Sequence, residues 1–282
     1  MAEPLILNGK ALATEIEAEL SVRVQKLVEK TGRTPVLATI LVGDNPASVT
    51  YVTMKGKACR RVGLEPRRVE MPAETTTEEL LAQIEALNED PDVCGILLQH
   101  PVPRHIDEAR CFNAIAPVKD VDGVNVASFG AVTMKQEGYR SATPGGIIRI
   151  LKHYGVELAG KEVVVIGRSP ILGKPVAMLL LNEDATVTIA HSRTENLPEI
   201  VRRADVVVAA VGKPRFVQAD WVKEGAVLVD AGYNAGNVGD IDLENCISKC
   251  SAYTPVPGGV GPMTICTLME QSVQAAEKMW GV

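Results

Sequence analysis

The chain has 282 residues, 46% hydrophobic and 23% charged, with a formal net charge of −6. That length exceeds one typical domain, so two are expected. The acidic balance excludes a general nucleic-acid binder, whose footprint is basic, but not an anionic small molecule held at one local site.

The start, MAEPLILNGK, lacks the basic flank and long apolar stretch of a secretory signal. No run approaches the roughly 18 apolar residues of a membrane span. Six cysteines form no C-x-x-C pair, and several fall inside apolar segments. Reduced thiols in a cytoplasmic protein are the expectation. The four histidines are isolated, so no metal site is expected.

Residues 10–31 read as a helix, with Leu12, Ile16, Leu20, Leu27 and Val28 close to a 3.6-residue stripe and Gly32 to end it. An apolar strand follows at 36–42, then the turn GDNPAS. A helix is expected from about Ala47 to Arg61, and another strand at 64–70. Thr76 and Glu79 have capping-box spacing ahead of Leu80, Leu81, Ile84 and Leu87. Residues 93–98 are again strand-like. Periodicity is lost over 117–142. Thr143 and Pro144 then suit an N-cap and first helical position for a helix running to about Tyr154. Strands follow at 161–166, 185–190, 205–211 and 226–230, the later ones all apolar as in central parallel strands. The segment 263–280 is a helix expected to pack back on the first half. Strands alternating with helices imply parallel sheets with right-handed crossovers.

Five stretches carry candidate chemistry. In VVVIGRSPILGKP a strand ends at Gly167 and a helix opens near Gly173, a turn that lets backbone approach a pyrophosphate at a helix N-terminus. It lacks the full G-x-G-x-x-G spacing and also fits an ordinary strand-to-helix turn. About 20 residues on, the position where NAD binders place an acid reads His191-Ser192-Arg193-Thr194. Hydroxyl and guanidinium groups there, with Arg168, suit a 2′-phosphate and favour NADP; Arg193 as a solvated charge is the plainer alternative.

Tyr51 and Lys55 lie four apart on one helix face, and a desolvated lysine can act as acid or base. A lysine lying along the surface is the plainer reading of the pair by itself. Gln99 ends a strand, where open α/β sheets bind ligands, or it simply terminates that strand. The stretch 117–123, PVKDVDG, places two carboxylates near a turn, fit for a metal, an amino-bearing ring edge, or the turn itself. The loop TPVPGGVGPMT at 254–264 can line a ligand or link domains.

In this order the motifs resemble the bifunctional methylenetetrahydrofolate dehydrogenase/methenyltetrahydrofolate cyclohydrolase family (FolD family). The carriers are Ser48-x-x-Tyr51-x-x-x-Lys55, GILLQHPVP, PVKDVDG, TPGG, GRSPILGKP and TPVPGGVGPMT, spanning nearly the whole chain. The resemblance implies an α/β protein of two domains. One is an N-terminal α/β catalytic domain (1–122 plus the helix 263–282) and the other a Rossmann-like NADP-binding domain (140–262), with the active-site cleft between them. It implies Lys55 as the proton-transferring lysine, Tyr51 as the ring stacking on folate, Gln99 as the residue orienting that lysine, and Asp122 as the carboxylate on the pterin edge. Pro262 falls in the loop bordering the folate. Gly167, Arg168, Ser169, Ser192 and Tyr233 fall where the family contacts NADP. Tetrahydrofolate derivatives are the implied substrates and a homodimer the implied assembly.

The chain departs from the family's commonest pattern at Val124-Asn125-Val126, at Ala142, at His100 and at Tyr233. Three other readings are weighed: the same fold with one activity, a non-catalytic NADP-binding protein, and a quinate/shikimate-type dehydrogenase. The presence of Lys55 and Asp122 argues against the second, and TPVPGGVGPMT against the third.

Overall fold

The computed structural model describes residues 3–282. In chain order it holds β1 (Leu5–Ile6), α1 (Gly9–Thr31), β2 (Val36–Val42), α2 (Pro46–Val62), β3 (Glu65–Met71), α3 (Thr77–Glu89) and β4 (Val93–Leu98). Then come α4 (Glu108–Ala114), α5 (Val126–Thr133), α6 (Ala142–His153), β5 (Glu162–Ile166), α7 (Gly173–Asn182), β6 (Thr186–Ala190), α8 (Leu197–Arg203) and β7 (Val206–Ala209). β8 (Val227–Asp230), α9 (Leu243–Cys246), β9 (Ala252–Tyr253) and α10 (Val260–Trp280) complete it. The chain divides into two compact units: Thr14–Arg140 with Ile265–Val282, and Ser141–Thr264 with the described residues up to Ala13.

In the unit formed by Thr14–Arg140 and Ile265–Val282, three parallel strands lie in the order β3-β2-β4. Every residue of β2 and β4 is buried, which is why VLATILV and VCGILL are nearly all apolar. β3 stands at an edge and holds only exposed and half-buried positions, so EPRRVEM tolerates its charges. The capping box expected at α3 is present: Glu79 N–H donates to Thr76 Oγ1 at 3.2 Å, and Thr76 N–H to Glu79 Oε2 at 2.8 Å. Ile40, Leu80, Ile84, Ile96 and Leu98 form part of the core. The C-terminal helix closes this unit. The Arg23 guanidinium meets Glu277 through two hydrogen bonds, and Gln271 Nε2 donates to Val121 O at 2.7 Å.

The other unit is a six-stranded parallel sheet ordered β1-β9-β8-β7-β5-β6. From β5 the chain moves to β6 on one side and β7–β8–β9 on the other, so the order reverses between β6 and β7. That reversal makes a doubly wound sheet, with its crevice at the carboxyl ends of β5 and β7. β1 pairs with β9 through Leu5 and Ala252, so Leu5 and Ile6 join this sheet. Neither two-residue strand is visible as periodicity in the sequence.

Two helix starts differ from expectation. α6 begins at Ala142 behind Ser141, whose extended ψ of 129° makes it the flanking residue. Pro144 is then the third helical residue, still inside the first turn where a missing N–H costs no helical bond. α10 begins at Val260, so Pro262 stands in a helix's first turn and not in a loop. The stretch 117–142, aperiodic in sequence, holds the short α5, with Asn125 as its cap.

Candidate active site

Lys55 rides on α2, whose register is set at both ends. The Asn45 side chain accepts the N–H groups of Ala47 and Ser48 at 3.0 and 3.2 Å, and Pro46 opens the helix. Gly63, at φ 88°, adopts the left-handed turn that closes it. The inward face of α2 carries Ser48, Val52, Lys55 and Cys59, all buried, and Tyr51 is half-buried one turn before Lys55. The Lys55 ammonium therefore emerges from a buried position and donates to Gln99 Oε1 at 3.0 Å. Gln99 sits just past β4. Its backbone N–H is bound to Ile40 O, and its Nε2 donates to the His100 carbonyl at 2.7 Å, leaving Oε1 for the lysine.

The two carboxylates of PVKDVDG divide into separate tasks. Asp120 is fully buried and accepts the N–H groups of Val124 and Asn125 at 3.1 and 3.0 Å; burial pushes its carboxyl up to about 6. It holds the turn. Lys119 is also structural: its ammonium donates to the carbonyls of Leu87, Asn88 and Asp90 at the end of α3. Asp122, half-buried, is left within electrostatic reach of Lys55. Burial lowers the Lys55 pKa while Asp122 opposes that shift; burial raises the Asp122 pKa while Lys55 and His100 oppose it. A lysine kept from full hydration beside a carboxylate is suited to exchanging protons with a ligand.

Gly95 makes the pairing possible. The segment ending at Asp122 runs along β4, where Ile96 N–H donates to Lys119 O at 2.8 Å. A Cβ on Gly95 would stand 2.6 Å from Val121 Cγ2. Gly95→Ala is expected to cost about 1–3 kcal/mol of stability by overpacking and to lower any activity that depends on Asp122. A denaturant midpoint equal to that of the unsubstituted protein would contradict this.

His100 Nδ1 lies at hydrogen-bond distance, 2.7 Å, from Glu108 Oε1. Among Val124-Asn125-Val126, Asn125 is occupied structurally, donating to Asn113 O and Ile115 O. Gln271 and Lys119 were not among the residues expected from sequence. Gln271 is buried in α10 with the polar Thr267 and Ser272, and a long polar side chain among the apolar residues of that helix is the signal that could have marked it.

In the doubly wound unit, Gly167 directly follows β5 at φ 131°, and a Cβ there would lie 2.3 Å from Ala210 O. A Cβ on Gly173 would lie 2.3 Å from Gly167 O, so the turn and the first residue of α7 touch through backbone. Ser169 Oγ accepts the Gly173 N–H at 3.2 Å, and Leu172 provides no side-chain cap. The Lys174 N–H is likewise taken, by Ser169 O at 3.1 Å, so what this glycine turn offers a dinucleotide pyrophosphate is close backbone approach and the positive end of the α7 dipole. Ile166 pairs with Ala190, so Arg168 and Ser192 leave neighbouring strands at the same edge, both exposed. No acidic side chain follows β6 before Glu195, which fits a 2′-phosphate. Tyr233 follows β8, two strands from β5 on that carboxyl edge; it is exposed, and its hydroxyl donates to Asn237 Oδ1 at 3.0 Å. The structure thus brings Tyr51, Lys55, Gln99 and Asp122 into one unit, and Gly167, Arg168, Ser169, Ser192 and Tyr233 onto one edge of the other. Pro262, half-buried, belongs to the latter unit.

All six cysteines are free and buried. Among the described residues, no group of three or more His, Cys, Asp or Glu side chains could hold a metal ion. Among them, too, no helix is long and apolar enough to cross a membrane.

A lysine-bearing parallel α/β unit joined to a doubly wound unit with a dinucleotide turn defines the class as a nucleotide-binding α/β enzyme. Residues 7–122 match the family described as tetrahydrofolate dehydrogenase/cyclohydrolase, catalytic domain, and residues 141–280 match its NAD(P)-binding domain. The chain is 62% identical over 274 residues to the bifunctional protein FolD of Cellvibrio japonicus, covering 97% of this chain and 98% of that one. A crystal structure of the bifunctional enzyme FolD from Campylobacter jejuni is 44% identical with a TM-score of 0.95, over 97% of this chain and 98% of that one. The Trypanosoma brucei enzyme, solved with NADP cofactor and inhibitor, is 36% identical with a TM-score of 0.96 over the full length of both. The chain belongs to the tetrahydrofolate dehydrogenase/cyclohydrolase family.

Proposed function

We propose that this chain oxidises 5,10-methylenetetrahydrofolate to 5,10-methenyltetrahydrofolate with NADP, then hydrolyses the methenyl product to 10-formyltetrahydrofolate. The observation that carries the reading is the buried Lys55 ammonium, hydrogen-bonded to Gln99 at 3.0 Å and coupled to the charge of Asp122. Family membership supports both reactions.

When bound, NADP supplies the hydride acceptor for the first reaction. Gly167 and Ser169 at the N-terminus of α7 receive its pyrophosphate, Arg168 and Ser192 its 2′-phosphate, and Tyr233 borders the same edge. Asp122 accepts hydrogen bonds from the amino-pyrimidine edge of the pterin, and Tyr51 stacks on the folate. Hydride departure is driven by the folate nitrogen lone pair, so the protein's task there is positioning. In the second reaction a water oxygen bonds to the methenyl carbon and loses a proton. The remaining hydroxyl proton then leaves as the bond from that carbon to N5 breaks, N5 takes up a proton, and the carbon becomes the formyl group on N10. Lys55 relays these protons, and Gln99 keeps its amine aimed. The protein acts in the cytoplasm, a setting that its buried free thiols suit. It acts as a homodimer through the nucleotide unit, whose sheet ends at the edge strand β6. Its net charge of −6 argues against nucleic acid as a partner.

The pH dependence of methenyl hydrolysis tests this. With the neutral amine as base, the rate rises with pH through the Lys55 pKa, which burial holds below 10.5. Asp122 raises that pKa, so Asp122→Asn should move the rising limb to lower pH. It should also weaken folate binding by about tenfold or more, as expected for loss of a charge-assisted hydrogen bond. A limb that stays put or moves up would remove Lys55 and Asp122 from the proton relay.

A further inference from the structure

The doubly wound unit contains two buried aspartates that the motifs above do not use, Asp230 and Asp240, at 3% and 0% exposure. Asp230 ends β8. Its carboxylate accepts the N–H groups of Gly232 and Asp240 at 2.9 Å each and of Ile241 at 2.8 Å. That fixes Asp240. The Asp240 carboxylate in turn accepts three consecutive backbone N–H groups, of Val211, Gly212 and Lys213, at 2.6, 2.8 and 2.9 Å. Asn234 Nδ2 donates to it as well, at 3.0 Å. Space is fully used: a Cβ on Gly232 would lie 2.2 Å from Asp240 Oδ1.

The loop so held is the one leaving β7. β7 is the neighbour of β5, Ala210 N–H donates to Ile166 O at 2.8 Å, and the Ala210 carbonyl packs on Gly167. Residues 210–213 therefore form one wall of the crevice at which the strand order reverses, and the Gly167 turn forms the other. Doubly wound sheets bind nucleotides there. The three N–H groups form an anion-binding nest already filled by the protein's own carboxylate. They are thus withheld from a ligand phosphate, leaving the phosphates to the Gly167 turn.

We infer that Asp240 is a positioning residue for the coenzyme: it presets the 211–213 wall of the nucleotide crevice and so sets NADP affinity without touching the folate reaction. This rests on the NADP reading above. Asp240→Asn tests it, because an amide NH₂ faces N–H groups that need an acceptor. NADP titrated calorimetrically into the variant should bind about tenfold or more weakly, reflecting a wall that must now be ordered on binding. Hydrogen exchange at residues 211–213, protected in the unsubstituted protein without NADP, should accelerate. Hydrolysis of supplied methenyltetrahydrofolate should stay within about twofold, where a merely structural role would lower both activities together. An unchanged NADP dissociation constant, or equal loss of both activities, overturns the inference. If Asp240→Asn does not fold, Asn234→Ala, which removes one of the four hydrogen bonds, should weaken NADP binding by a smaller factor; a folded Asn234→Ala with unchanged affinity overturns it equally. Failure of the unsubstituted protein to bind NADP would instead strike the coenzyme reading itself.

Discussion

Lys55→Met is expected to abolish methenyltetrahydrofolate hydrolysis while leaving folate and NADP binding largely intact. Methionine preserves much of the stem that packs on the inward face of α2 but carries no proton. Removing a general acid or base typically costs about 10²–10⁴-fold in rate. The Gln99 carbonyl oxygen loses its donor at the same time, so some mispositioning adds to the effect. Rates measured on supplied methenyltetrahydrofolate, beside binding titrations for both ligands, separate chemistry from affinity. Near-normal hydrolysis would take Lys55 out of the mechanism. A matching loss of folate binding would make it a binding residue instead.

The second large effect concerns coenzyme choice. Arg168 and Ser192 leave neighbouring strands at one edge of the sheet, and no acidic side chain follows β6 before Glu195. A charge-assisted contact to phosphate contributes roughly 1.5–3 kcal/mol, so about one to two decades of affinity. Replacing both residues with alanine should raise the Michaelis constant for NADP far more than that for NAD. It should also flatten the salt dependence of NADP binding, because an ionic contact is gone. If the unsubstituted protein reduces NAD as efficiently as NADP, the 2′-phosphate assignment fails although the family stands.

The legible part of the fold was the part with long apolar periodicity. β2, β4, β5, β7 and β8 are buried along nearly their whole length and read as largely apolar runs, whereas the edge strand β6 mixes exposed and half-buried positions. The capping box at Thr76 carried its own signature. β1 and β9 did not, because two residues have no period, and their pairing depends on a partner about 247 positions away. α5 escaped because its cap, Asn125, lies in a stretch otherwise rich in turn residues. At the site, the resemblance pointed to Lys55, Gln99 and Asp122. Only coordinates separate Asp122 from its neighbour Asp120, since two carboxylates two residues apart look alike until backbone N–H groups are assigned to one of them. Lys119, Gln271 and Asp240 were hidden for a related reason: their partners are backbone groups of distant segments, which residue spacing does not encode.

The most direct measurement follows methenyltetrahydrofolate during turnover of one preparation on 5,10-methylenetetrahydrofolate, with NADP or NAD as acceptor. The expected result is NADP-dependent formation of the methenyl species, its decay to 10-formyltetrahydrofolate by the same protein, and selective loss of the decay in Lys55→Met. Formation without decay in the unsubstituted protein, or decay that persists unchanged in Lys55→Met, would contradict a bifunctional enzyme working through Lys55.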